Sequence, residues 1–132
     1  MPAYEAAGFQ PPAPVIRARV IGPAGARADV PLLLDSGADV SVIPRAAASA
    51  VGALVGRSTA AIQFLVGREI VLEEAELAVE FMRYRFRGAF LVVDSSHGII
   101  GRNILNAFAL TLDGPRLEWS IADAGDHRAP TR

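Results

Sequence analysis

The sequence predicts an all-β, barrel-like single domain carrying two short helices, and three observations point there. Short apolar stretches with period-two alternation recur along the chain, separated by clusters of Gly, Pro, Asp and Ser. Only residues 45–51 and 103–108 have a helical composition, and both stretches are too short to build a helical core. With 132 residues and a hydrophobic fraction of 52%, the chain can bury one core of its own.

Taken in order, residues 1–14 carry Pro2, Pro11, Pro12 and Pro14, a composition suited to an extended, mobile arm or linker. Residues 15–21 alternate as a strand, 22–25 form a turn, and 26–34 run back as a second strand. A short Val/Ile strand follows at 42–43. Pro44 then opens an Ala-rich helix over 45–51 that Gly52 ends. Residues 60–72 read as a hairpin turning at Val66, Gly67 and Arg68, because Ile62, Phe64 and Val66 alternate before the turn and Ile70 and Leu72 after it. Glu73, Glu74, Glu76 and Glu80 form the wet face of a strand over 73–81. The return strand, 84–93, ends in the apolar run 89–93 expected of a buried central strand. After a loop at 94–97 and the helix at 103–108, residues 109–112 and 116–121 make a final hairpin. The domain is expected to span 15–121, with 122–132 as a polar tail.

Composition removes several classes of function. A formal net charge of −1 offers no electrostatic reason to bind nucleic acid, and Arg83, Arg85 and Arg87 alternate with Tyr84 and Phe86 as a strand face does. There is no cysteine, which excludes disulfides, thiol nucleophiles and Cys-based zinc sites, and the only imidazoles are His97 and His127. No metal or cofactor is expected. Nothing resembles a secretion signal and no apolar run approaches about 18 residues, so no membrane partner is expected and the expected location is cytoplasmic.

Two segments carry the chemistry. In the first, Leu32-Leu33-Leu34-Asp35-Ser36-Gly37-Ala38-Asp39-Val40-Ser41-Val42-Ile43, an acid is delivered by an apolar strand and followed by another. A solvated turn accommodates Asp-Ser-Gly as well as a reactive loop does, but an acid in this setting is pushed inward, and buried carboxylates are rare without a partner or a task. The second segment is Gly98-Ile99-Ile100-Gly101-Arg102-Asn103-Ile104-Leu105.

Together, roughly 66 positions apart at residues 35 and 101, the two segments resemble the retropepsin-like (retroviral-type) aspartic protease family. The family pairs an Asp-Thr/Ser-Gly-Ala loop with a later apolar-apolar-Gly-Arg-Asn/Asp segment. The resemblance implies a retropepsin-like acid protease barrel and an aspartic endopeptidase with Asp35 as the catalytic residue. Ser36, Gly37 and Ala38 would support the catalytic loop, and Asp39 and Arg102 would form a structural ion pair beside it. It also implies a flap at Val66, Gly67 and Arg68 and a substrate cleft with Ile62, Phe64, Ile70 and Ile99 on its walls, while Val40 and Val92 read as core. Counting forward from Asp35 instead would put the flap tip near Ala60. One Asp-Ser-Gly per chain is half a site, so a homodimer acting on a peptide or protein substrate is expected. No Arg precedes Val15, so the contact that many viral relatives make from the partner's N-terminal arm has no counterpart. The alternative is a non-catalytic peptide-binding or dimerisation module on the same fold, favoured by a flap with Gly67 as its lone glycine.

Overall fold

The computed structural model describes residues 1–58, 62–64, 68–70 and 72–123, with 62–64 and 68–70 described by their backbone. Two long antiparallel hairpins frame it. In the first, β1 (Val15–Ile21) pairs with β2 (Arg27–Leu34), from Val15 opposite Leu33 to Ile21 opposite Arg27. The turn needs glycine at both ends. Gly25 sits at φ 89°, and a Cβ on Gly22 would lie 1.9 Å from the Val51 carbonyl oxygen. The second hairpin joins β7 (Glu73–Phe81) to β8 (Tyr84–Val93).

Short strands close these hairpins into a barrel. The chain after β2 returns as β3 (Val42–Pro44), which lies parallel to β8. The three residues of β9 (Gly98–Ile100) insert between β2 and β3, parallel to β2 and touching β3 at Val42 opposite Ile99. Pairing of β1 with β7 completes the circuit, and β4 (Val55–Arg57) extends it along β7. Inward residues of each strand meet in one core that includes Val20, Leu32, Ile43, Val79 and Ile100, each at most 1% exposed. Helix α1 (Arg45–Ala50) begins after Pro44, buries Ala48 against this core and ends at Gly52, where φ is 72°.

Beyond β9 lie α2 (Arg102–Leu105) and a second, two-stranded sheet of β10 (Phe108–Asp113) and β11 (Glu118–Asp123). Phe108, expected in the helix, instead opens β10, where its ring meets Phe81 at 5.7 Å and Tyr84 at 5.0 Å. That aromatic burial at the turn end of the β7–β8 hairpin outweighs one more helical turn. A separate hairpin pairs β5 (Ile62–Phe64) with β6 (Arg68–Ile70). No helix among the described residues is long and apolar enough to cross a membrane.

Three expectations are corrected. The Pro-rich arm is docked rather than mobile. The Tyr4 N–H donates to the Leu117 carbonyl at 2.7 Å and the Trp119 N–H to the Pro2 carbonyl at 2.9 Å, adding residues 2–4 to the edge of β11. Proline fits because Pro2 and Pro14 are used here as acceptors: the Leu34 N–H donates to the Pro14 carbonyl at 3.0 Å. Strands β4 and β9 were not anticipated, since three residues carry no readable alternation. The run 89–93 is not buried throughout; Phe90 and Val92 point inward while Leu91 and Val93 are half-buried and Ala89 is exposed, because a barrel strand has one inner face.

Candidate active site

Strand β2 delivers Asp35 to the end of the parallel β2–β9 ladder. Leu34 lies opposite Ile100, and the Asp35 N–H donates to the Ile100 carbonyl at 3.0 Å, carrying the ladder one residue further. The chain then turns on itself. The Ala38 N–H donates to the Asp35 carbonyl at 3.2 Å and the Gly37 N–H to Asp35 Oδ1 at 2.9 Å. A Cβ on Gly37 would stand 3.1 Å from that same oxygen, so glycine lets the amide close on the carboxylate. The Asp35 side chain is half-buried, neither sunk in the core nor fully in water, and Ser36 and Gly37 are exposed at the surface beside it.

The second segment grips this turn from two sides. Outside, the Arg102 guanidinium donates through Nη1 to the Ser36 carbonyl at 2.7 Å and through Nη2 to the Asp39 carboxylate. The Arg102 backbone N–H donates to the Ala38 carbonyl at 2.8 Å and that of Asn103 to the Asp39 carbonyl at 3.3 Å. With the Asp39 side chain 82% exposed, the ion pair itself adds little stability. Its consequence is geometric: one planar side chain holds two points of the loop at once.

Inside, Ser41 does the same work from beneath. Its buried hydroxyl accepts the Gly101 N–H at 3.0 Å and donates to Asn103 Oδ1 at 2.8 Å. Gly101 sits so close to the loop that a Cβ would lie 2.5 Å from the Val40 carbonyl oxygen and 2.9 Å from that of Ala38. Ser41 was not singled out in the sequence, although a hydroxyl set between Val40 and Val42 in an apolar run is the signal that marks it.

The structure therefore brings Asp35, Ser36, Gly37, Ala38, Asp39 and Arg102 into one constellation and places Ile99 beside it, half-buried on β9. Val92 is core, 6% exposed, but Val40 is not: it is 39% exposed, because the 35–40 turn lifts it off the sheet. In the β5–β6 hairpin, Ile62 pairs with Ile70 and Phe64 with Arg68. Arg68 thus belongs to the strand rather than the turn, since the ladder extends through it. Val66 and Gly67, with the alternative tip Ala60, lie outside the described residues, as do the side chains of Ile62, Phe64, Arg68 and Ile70.

No family model and no curated protein matches the chain. Among solved structures it is similar to the EIAV protease complexed with the inhibitor HBY-793, with a TM-score of 0.53 and 23% identity over 71% of this chain and 86% of that one. The fold is retropepsin-like. In this retropepsin-like frame the Asp35 turn and the Gly101–Arg102 segment leave the same end of the parallel β2–β9 pair, which is how residues far apart in sequence come to share one surface.

Proposed function

We propose that the chain is a homodimeric aspartic endopeptidase in which two Asp35 carboxylates, one per subunit, activate a water for peptide-bond hydrolysis. The observation that carries this reading is the Asp35 turn itself: a half-buried carboxylate oriented by the Gly37 amide, on a loop pinned by Arg102 and Ser41. Catalytic carboxylates need this fixed placement, and a solvated turn does not.

Two carboxyls held about 3 Å apart across a two-fold axis share one proton, because both cannot ionise together. The ionised member takes a proton from water as its oxygen bonds the scissile carbonyl carbon, and the protonated member donates to the carbonyl oxygen. Collapse of the tetrahedral intermediate breaks the C–N bond and a carboxyl proton passes to the leaving nitrogen. The exposed Ser36 hydroxyl is available to bond across the axis, and the glycine at position 37 permits close approach of the two turns. Substrate lies extended, strand-like, between the Asp35 loops and the β5–β6 hairpins acting as flaps.

The test is hydrolysis of a mixed peptide library between about pH 4 and 7 by the wild-type chain and by Asp35→Asn. Cleavage by the wild type, lost in a variant that remains folded and dimeric, is the expected result. Equal turnover by the two proteins would eliminate the mechanism.

A further inference from the structure

The N-terminal arm makes a second attachment besides its pairing with β11. Between Glu5 and Ala13, whose backbones exchange hydrogen bonds of 2.8 and 3.0 Å, residues 6–12 form a loop tightened by the Phe9 N–H, which donates to the Ala6 carbonyl at 3.1 Å. From this loop the half-buried Phe9 ring packs on the half-buried ring of His97, with centroids 4.9 Å apart. His97 ends the segment that leads into β9.

The sheet order carries this contact across the surface on which the candidate site stands. Strand β2 lies between β1 and β9, Ala13 sits just before β1, and the core fills the inside of the barrel. Phe9 therefore reaches His97 over the outer face of β2. Because Leu32 and Leu34 point into the core, that face carries Leu33 and, two residues on, Asp35. Leu33 pairs with Ile99, and both are half-buried there. Asp35 follows Leu33 by two residues and His97 precedes Ile99 by two, so the ring pair stands about 13 Å from Asp35 along the strands. A side chain bound beside the Asp35 carboxylate and running along Leu33 and Ile99 points at Phe9.

We infer that Phe9 is a specificity-determining residue for the hydrolysis proposed above: its ring closes the far end of a pocket, walled by Leu33 and Ile99, that takes a substrate side chain next to the scissile bond. The inference rests on the endopeptidase reading and adds to it a class of substrate. Walls of this kind favour an apolar side chain, because a polar one loses water there and gains no partner from Leu33, Ile99 or Phe9. A closed end favours side chains the size of valine or leucine over the larger rings of phenylalanine, tyrosine and tryptophan. The loop is held independently of Phe9, since Arg17 grips the Glu5 carboxylate at 2.6 Å and residues 2 and 4 are bonded to β11 and the turn before it. Shortening the Phe9 side chain thus opens the pocket without releasing the arm.

The experiment uses the full chain and peptide sets that vary the residue on each side of the cleaved bond, read as kcat/KM. The wild type is expected to favour leucine or valine over phenylalanine or tryptophan on at least one side by about tenfold or more, and Phe9→Ala to shift that ratio toward the aromatic peptides by about tenfold. Phe9→Leu, which keeps an apolar end wall, is expected to shift it the same way by less, and serves where Phe9→Ala does not fold by circular dichroism. A ratio identical in the wild type and both variants overturns the role of Phe9 while the endopeptidase stands. A wild-type preference for aromatic side chains on both sides also overturns it. A wild-type chain that cleaves no peptide removes the endopeptidase reading and this assignment with it.

Discussion

The hydroxyl of Ser41 accepts the backbone N–H of Gly101 at 3.0 Å, joining segments 60 positions apart in the sequence. It is a bond made under the Asp35 turn, while Arg102 holds the same turn from the solvent side. The candidate carboxylate is thus placed by two fastenings of different character, one buried and one exposed, and they should fail differently.

Removing the buried fastening should cost stability. Ser41→Ala leaves the Gly101 amide buried without an acceptor, and a loss of about 1 to 3 kcal/mol is expected. Urea unfolding of the two proteins, compared at constant slope, reads this directly.

The exposed fastening should separate activity from stability. Arg102→Lys keeps the charge but cannot reach the Ser36 carbonyl and the Asp39 carboxylate together, so unfolding should shift by less than about 1 kcal/mol. Peptide hydrolysis should fall by about tenfold or more, because the Asp35 turn loses its lateral constraint. Turnover equal to wild type would show that Arg102 does not position the loop.

Glycine at position 101 should be irreplaceable where glycine at position 56 is not. In Gly101→Ala the new Cβ meets two carbonyl oxygens of the loop, and overpacking of about 1 to 3 kcal/mol follows. Gly56→Ala meets nothing within 4 Å and should be neutral or stabilising by up to about 1 kcal/mol. Paired thermal melts distinguish the two.

At alkaline pH a third contact becomes visible. The Tyr84 hydroxyl donates to the Asp123 carboxylate, and this bond, with desolvation second, raises the phenol above its ordinary value of 10.0. A raised folded value means stability present below about pH 10 and lost as pH climbs through the folded value. The stability difference between wild type and Tyr84→Phe should therefore be constant at neutral pH and shrink above about pH 10. A difference independent of pH would show that the bond adds nothing.

Deleting residues 1–5 should change assembly rather than folding of the barrel. The truncation strips the arm from the start of β11 and frees the backbone groups of Leu117 and Trp119 that it pairs, so light scattering that grows with concentration is expected. Clear solutions of unchanged mass would show that the arm does not guard that edge.

The parts legible in the sequence were those written in side-chain periodicity or in residue chemistry at fixed spacing. Strands β1, β2, β7 and β8 alternate over seven or more residues, and each appears within a residue of its expected bounds. Asp35 and Arg102 were readable because a carboxylate among apolar residues and an Arg after glycine stand out as types. Ser41 escaped notice because a serine in an apolar run is unremarkable until its hydroxyl is seen to accept the Gly101 amide. Strand β9 escaped because Gly98 and two isoleucines become a strand only between β2 and β3, where a Cβ at position 98 would lie 2.3 Å from the Val42 carbonyl oxygen.

Alone, the sequence determined the long strands β1, β2, β7 and β8, that the turn after β2 holds an acid beside glycine, and that each chain brings one such turn. Only the tertiary structure decided that β9 threads between β2 and β3 and that the proline-rich arm closes on the start of β11. Those choices are made by backbone amides and carbonyls meeting across long separations, and because every residue but proline carries the same pair, they leave no mark in the order of side chains.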